Sequence, residues 1–195
     1  SNQKIFYKMI LKLLKMILCI VIVLVLFIPI LLISIGIKIS SKGPIIYWSK
    51  RVGKNKIIFL MPKFRTMRDS APQLSTANMK NHQNYVTHFG KVLRKFSLDE
   101  IPQLYSIFKG DMNFIGPRPA LYNQYDLIKL RDENGINKFL PGITGWAQVN
   151  GRDELSIEKK VNYEYEYILK KSIILDFYII ILTFIRVFLS KDISH

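Results

Sequence analysis

Hydrophobic and polar positions alternate with a different rhythm in successive parts of the chain. Residues 4 to 15 space Lys4, Lys8, Lys12 and Lys15 by four, four and three, with Ile5, Phe6, Met9, Ile10, Leu13 and Leu14 between them. That is the pattern of a helix entering a membrane surface. From Met16 to Ile37 no charge interrupts a run of mostly Ile, Leu and Val. At about 1.5 Å per residue this run is long enough for a hydrocarbon core about 30 Å thick. The rhythm then becomes that of strands. A turn at Gly43-Pro44, a short strand, a turn at Gly53-Lys54-Asn55 and a second strand to Lys63 predict a basic hairpin beside the membrane. Residues 69 to 88 are polar and weakly periodic, a mobile loop or a poorly packed helix. Helical spacing returns over 91–109, 120–134 and 154–170, separated by a Gly- and Pro-rich stretch from Gly110 to Pro119 and by the turn-and-strand segment "LPGITGWAQVNGRD". In the apolar tail "SIILDFYIIILTFIRVFLS", Asp176 and Arg186 leave only nine uncharged residues between them. About 14 Å of helix is too short to cross, so an interfacial or core helix is expected there.

The pattern predicts an α+β protein, mainly helical. Residues 1–40 form a membrane element, and 41–195 a compact cytoplasmic domain with a small basic β-hairpin and interfacial amphipathic helices. Two features argue that the membrane element dips in and returns. Both flanks are basic, Lys4 to Lys15 before and Lys38, Lys42, Lys50 and Arg51 after, so both ends favour the cytoplasmic side. Pro29 removes a backbone donor and crowds the preceding turn, breaking the run into pieces too short to span. A kinked transmembrane helix, a signal peptide cleaved near Ser34-Ile35-Gly36 and a buried soluble helix are the alternatives.

Composition narrows the partners. Lys and Arg number 29 against 14 acids, a net charge of +15, in a chain that is still 49% hydrophobic. Such a balance suits anionic lipid head groups, phosphorylated substrates or nucleic acid. No recognised nucleic-acid motif occurs, and the longest apolar run has no use in that role, so nucleic acid is not expected. The lone Cys19 forms no internal disulfide, and nothing indicates an oxidising compartment. His82, His88 and His195 lack ligand spacing. Trp48 and Trp146 suit an interface or core, or stacking on a base.

Against this basic background stands "FSLDEIPQLYSIFKGD", where Asp99 and Glu100 are adjacent. Pro102 predicts a helix start, placing Asp99 near the N-cap and Glu100 near the first helical position; Ser97 to Glu100 also has capping-box spacing. A plain cap is one explanation. A chemical one is that a carboxylate there stays ionised, its pKa depressed by aligned N–H groups and nearby cations, and attacks phosphorus. Attack on a diphosphate requires a divalent cation and arginines to screen the repulsion. Arg94 with Lys95, Arg118 between Pro117 and Pro119, and Arg152 after Asn150-Gly151 are the candidates. Lys63 and Arg65 in "PKFRTM" suit nucleotide phosphate or lipid head groups equally.

Taken in order after a proline-broken apolar N-terminus, "SKGPIIYWSKRVGKNKIIFLMPKFRTM", "LRKFSLDEIPQLYSIFKGDMNFIGPRP" and "PGITGWAQVNGRD" resemble the bacterial sugar transferase family, specifically its small monotopic phosphoglycosyl transferases. The resemblance covers about residues 5 to 190. It implies an enzyme of the bacterial inner membrane, its catalytic domain on the cytoplasmic face. Such an enzyme moves a sugar 1-phosphate from a UDP-sugar onto polyprenol phosphate, releases UMP and begins a surface glycan that downstream glycosyltransferases extend. It implies Asp99 as nucleophile, carrying the phosphosugar covalently. Glu100 is implied as second dyad member, shaping a Mg²⁺ site with Asp99 or handling a proton. Arg94 and Arg118 match basic positions around the phosphates, and Arg152 matches an Asn-Gly-Arg element. Two positions depart from the family. Ile28-Pro29 stands where Ser-Pro is usual, leaving the bend to Pro29 with any hydroxyl help from Ser34. Glu164 aligns with a later acidic residue that is usually Asp, Glu166 being the other candidate.

A non-enzymatic membrane-surface module that binds anionic lipid, with the acidic pair only a cap, is the rival from another class; it predicts that Asp99→Asn leaves the main property intact. Within the family, larger relatives carry the domain behind several transmembrane helices. Helical patterning that begins near Lys4 favours the small form, unless the leading Ser-Asn marks a truncation.

Overall fold

The computed structural model describes residues 2–68, 85–151 and 154–189. Most of the polar 69–88 segment, Arg152, His82 and His195 lie outside the described residues. Two helices open the chain, α1 (Asn2–Val25) and α2 (Phe27–Ser40), bent by 63° at the break. Pro29 explains where the bend falls. Its ring would meet the carbonyl four residues back, that of Val25, which is where α1 ends. Pro29 itself sits in the first turn of α2, where no N–H is needed. Leu26 bridges the break: its N–H donates to Ile22 O at 2.9 Å, and its carbonyl accepts from Ile30 N–H at 2.8 Å. The Ser34 hydroxyl donates to Ile30 O, inside α2, so the bend owes it nothing directly. No single described helix is long and apolar enough to cross a membrane, although the bent pair meets that test together.

Strands β1 (Ile46–Val52) and β2 (Ile58–Phe64) form the expected antiparallel hairpin. Alternation turns Phe59 and Met61 inward, where they pack with Cys19 of α1, with Leu104 and Ile107 of α4 (Leu104–Lys109), and with Met112. Phe64 packs with Ile33 and Ile37 of α2 and Leu93 of α3 (His88–Lys95). The bent helices therefore share their inner stripe with the core of the following domain. Their outer faces stay bare: Val25 is 73% exposed and Ile28 67%. An apolar surface of this kind marks a membrane or partner contact.

After α4 come β3 (Asn113–Ile115), α5 (Tyr125–Glu133), β4 (Gly142–Thr144) and α6 (Trp146–Val149), then α7 (Ile157–Lys170) and α8 (Ile173–Leu189). β3 and β4 pair in parallel, a contact that the sequence pattern did not single out. The two segments cross so closely that a Cβ at Gly142 would lie 2.1 Å from Gly116 N, and one at Gly145 2.1 Å from Gly116 O. Only glycine allows that approach. Val52, Ala120, Leu127, Ile136 and Val161 make a second core. α8 docks through Ile179 against Val149 and Tyr167, is held by the Tyr167 hydroxyl donating to Asp176 at 2.8 Å, and leaves Ile174 82% exposed. Trp146 is a tether: its indole N–H donates to Glu166 at 3.0 Å, and its ring contacts Tyr163 and Tyr178.

Candidate active site

The acidic pair sits in a tight 3-10 turn, Leu98–Gln103, that leads into α4. An α-turn would need a donor from residue 102 to the Leu98 carbonyl, and Pro102 has none, so the chain winds tighter until Leu104. Asp99 is thus not the N-cap that the sequence predicted. That position belongs to Ser97, in the left-handed region at φ 53°, whose carbonyl accepts the Glu100 N–H. Asp99 is 8% exposed and Glu100 7%. Helix-capping carboxylates have no need of such burial, and acidic residues are seldom buried without partners.

The partners come from three elements. β2 alternation puts Lys63 on the same face as Phe59 and Met61, beside the pair; its Nζ lies 2.9 Å from Glu100 Oε1 and 3.7 Å from Asp99 Oδ2. Arg118 donates from Nη2 to the same Glu100 oxygen at 2.7 Å. Arg94, at the end of α3, faces Asp99 and is steered by its Nε–H bond to Thr66 Oγ1 at 2.9 Å. Burial raises the proton affinity of the Asp99 carboxyl. Lys63 opposes that rise, Glu100 adds to it, and Arg94 and Arg118 oppose it more weakly. The depressed pKa expected from helix dipoles is therefore reversed, because desolvation outweighs the cations. Burial likewise lowers the pKa of Lys63, against the pull of Glu100 and Asp99.

Arg118 is held by its backbone. Prolines on both sides fix the chain, the Pro117 carbonyl accepts from Gly142 N–H at 2.9 Å, and the Ala120 carbonyl from Val52 N–H at 2.9 Å. Arg51 donates from Nη1 to the Pro119 carbonyl and from Nε to Ser49 Oγ, each at 3.0 Å. Sequence reasoning counted Arg51 only as a membrane-flanking charge. Its place one residue from the end of a strand in the basic hairpin was the available signal.

The structure brings together Asp99, Glu100, Lys63, Arg94 and Arg118. It takes Arg65 elsewhere: the guanidinium donates to the carbonyls of Lys42 and Ser41 at 2.7 and 2.8 Å, closing the C-terminal end of α2. Glu164 also has another use. Both its oxygens accept from buried Arg131 of α5, Nε–H at 2.7 Å and Nη2–H beside it. Glu166 is engaged by Trp146 and Lys170.

Among the described residues no group of three or more His, Cys, Asp or Glu gathers as metal ligands. The adjacent carboxylates of Asp99 and Glu100 nevertheless form a hard oxygen donor set. It suits Mg²⁺, which takes one or two carboxylates and completes its shell with water and substrate phosphate.

Beside the pair lies a cavity of about 270 Å³. Glu100 and Arg118 supply polar wall, Ile22 and Leu26 bring the helix break to it, and Ile143 and Arg186 also line it. Asp99 is one residue from this wall rather than in it.

The site is therefore a buried acidic pair ringed by cations, beside a cavity whose wall includes the break between two apolar helices. The chain belongs to the bacterial sugar transferase family, whose profile matches residues 6–190. It is 39% identical over 173 residues to the UDP-glucose:undecaprenyl-phosphate glucose-1-phosphate transferase of Xanthomonas campestris pv. campestris, covering 80% of this chain and 34% of that protein. It is 35% identical over 159 residues to the uncharacterized sugar transferase EpsL of Bacillus subtilis (strain 168), covering 82% and 77%. It is 36% identical over 152 residues to the UDP-N-acetylgalactosamine-undecaprenyl-phosphate N-acetylgalactosaminephosphotransferase of Aeromonas hydrophila, covering 75% and 36%. The chain thus spans about a third of the length of the first and third of these relatives and about three quarters of the second.

Proposed function

We propose that this chain is a phosphoglycosyl transferase that moves a sugar 1-phosphate from a UDP-sugar to undecaprenyl phosphate and releases UMP. The carrying observation is the buried Asp99-Glu100 pair, 8% and 7% exposed, ringed by Lys63, Arg94 and Arg118. Asp99 Oδ attacks the β-phosphorus, a new P–O bond forms, and the bond to UMP breaks with its electron pair leaving on UMP. An oxygen of the lipid phosphate then attacks the same phosphorus and releases the Asp99 carboxylate. Asp99 is the nucleophile because a buried carboxylate of raised proton affinity is the more basic once ionised, and Lys63 beside it favours the ionised form. Glu100, fixed between Lys63 and Arg118, holds those two cations where the phosphates must lie. Mg²⁺ on Asp99 and Glu100 would supply charge neutralisation for the diphosphate. Arg152 remains a proposed phosphate contact.

The bare apolar faces of α1, α2 and α8 support a monotopic seat in the cytoplasmic membrane, α1 and α2 forming a re-entrant element with both basic ends on the cytoplasmic side, against anionic lipid. The test is a panel of UDP-sugars with undecaprenyl phosphate and Mg²⁺, scored by UMP release, beside Asp99→Asn. Release that needs both donor and Asp99 is expected. A variant that releases UMP as fast as the wild type overturns the assignment.

A further inference from the structure

The cavity beside Glu100 has a second arginine in its wall, and it comes from the tail. α8 is apolar, and between Asp176 and Lys191 its sole charge is Arg186. An arginine in such a helix is costly unless it faces protein or a polar ligand. Arg186 is half-buried and lines the same cavity of about 270 Å³ as Arg118. Thr183, one turn earlier on the same face, fixes the helix: it shares a 2.7 Å bond with Thr144 of β4 and donates to Ile179 O.

The charges explain why a second arginine is needed. The three cations facing the pair, Lys63, Arg94 and Arg118, are set against two carboxylates, and the donor diphosphate, which Mg²⁺ would help to neutralise, draws on the same cations. Arg118 also already donates to Glu100. An acceptor phosphate entering next to Glu100 meets repulsion that these groups do not cancel. Ile22, Leu26, Ile143 and Val187 give the wall an apolar part, beside the polar Ser97 and Gln148, and Ile22 and Leu26 place that part at the helix break, where a lipid would enter from the bilayer.

We propose that Arg186 is a phosphate-binding residue for the lipid acceptor, and that the first prenyl units lie between the α1/α2 break and α8. This rests on the transfer reaction proposed above and adds a residue to it. The first test is binding, which needs no turnover. Purified wild type and Arg186→Gln in nanodiscs are titrated with a fluorescent short-chain polyprenyl phosphate, with the matching polyprenol, and with inorganic phosphate as competitor. Wild type should prefer polyprenyl phosphate to polyprenol, and the variant should lose about 10-fold or more of that preference, the usual consequence of deleting one charge-assisted bond. Arg186→Lys should recover part of it. Equal preference in wild type and Gln variant overturns the proposal, as does inhibition of the lipid by free phosphate with no contribution from the chain.

Kinetics give the second test. Arg186→Gln should lower kcat/KM for undecaprenyl phosphate about 10- to 100-fold while that for the UDP-sugar stays within about twofold. Leu26→Trp, which fills the cavity at the break, should give the same split if Arg186→Gln fails to fold. Equal losses toward donor and acceptor make Arg186 structural and refute its role. Failure of the wild type to release UMP from any donor refutes the transferase assignment, whereas the binding result still decides for or against Arg186.

Discussion

Two buried ionic sites in this molecule look alike on a residue inventory and differ in construction. In the first, Arg131 meets Glu164 fork to carboxylate, one cation for one anion, with side chains 5% and 2% exposed. In the second, two carboxylates adjacent in sequence share three cations, and one oxygen, Glu100 Oε1, accepts from both Lys63 and Arg118. Asp99 has Lys63 at 3.7 Å, the weaker pull of Arg94 and Arg118, and a carboxyl whose proton affinity burial has raised. A matched pair closes on itself and holds α5 to α7. An unmatched one beside a cavity keeps charge in reserve for a ligand.

The largest expected effect falls on the unmatched site. Asp99→Asn should lower UMP release by about 10³-fold or more, since the amide left there is not a nucleophile toward phosphorus. It should also raise the thermal midpoint at neutral pH. A carboxyl whose folded pKa lies above its unfolded one adds stability below the unfolded value, and that stability is lost as pH rises through the folded pKa. The neutral amide avoids the loss, so calorimetry at pH 7 should show stabilisation; a lower midpoint would mean that Asp99 is a structural anion after all.

The matched site should answer in the opposite sense. Glu164→Ala strands a buried guanidinium and should cost about 3–5 kcal/mol in urea unfolding, with turnover per folded molecule nearly unchanged. Replacing both partners, Arg131→Met with Glu164→Leu, should restore most of that stability. A large kcat defect in the folded double variant would show that Glu164 belongs to the chemistry.

Smaller shifts sharpen the contrast. Because Asp99 must be ionised to attack, the acidic limb of the rate profile should lie above the ordinary aspartate value of 3.8. Lys63→Met should push that limb higher still and lower donor kcat/KM about 10- to 100-fold. A limb at the same pH in both proteins would remove Lys63 from the control of Asp99. Arg51→Ala, which releases the Pro119 carbonyl, should cost only about fivefold in kcat/KM for the donor. A loss as large as that of Lys63→Met would make Arg51 a direct ligand.

Much of this was legible in the sequence because local rules decide it. The break came from a proline in an apolar run, the hairpin from alternation around Gly53-Lys54-Asn55, and the acidic pair from its contrast with a basic chain. The parallel β3–β4 contact escaped because it joins segments far apart in sequence by only three residues each. The pairing of Glu164 could not be read because it depends on Arg131 arriving from another helix. The bonds of Arg65 to the end of α2 were not legible because the carbonyls it closes belong to a helix whose end could be placed only in three dimensions. The sign of the Asp99 shift was missed for a related reason: dipoles and cations can be listed from sequence, but the burial that overrules them cannot.

The most direct measurement is intact-protein and peptide mass spectrometry of wild type quenched after mixing with a turned-over UDP-sugar in the absence of lipid acceptor. A phosphosugar adduct should appear on the peptide carrying Asp99, vanish when undecaprenyl phosphate is added, and be absent from Asp99→Asn. Lipid-linked product formed at full rate with Asp99 never modified would contradict the account.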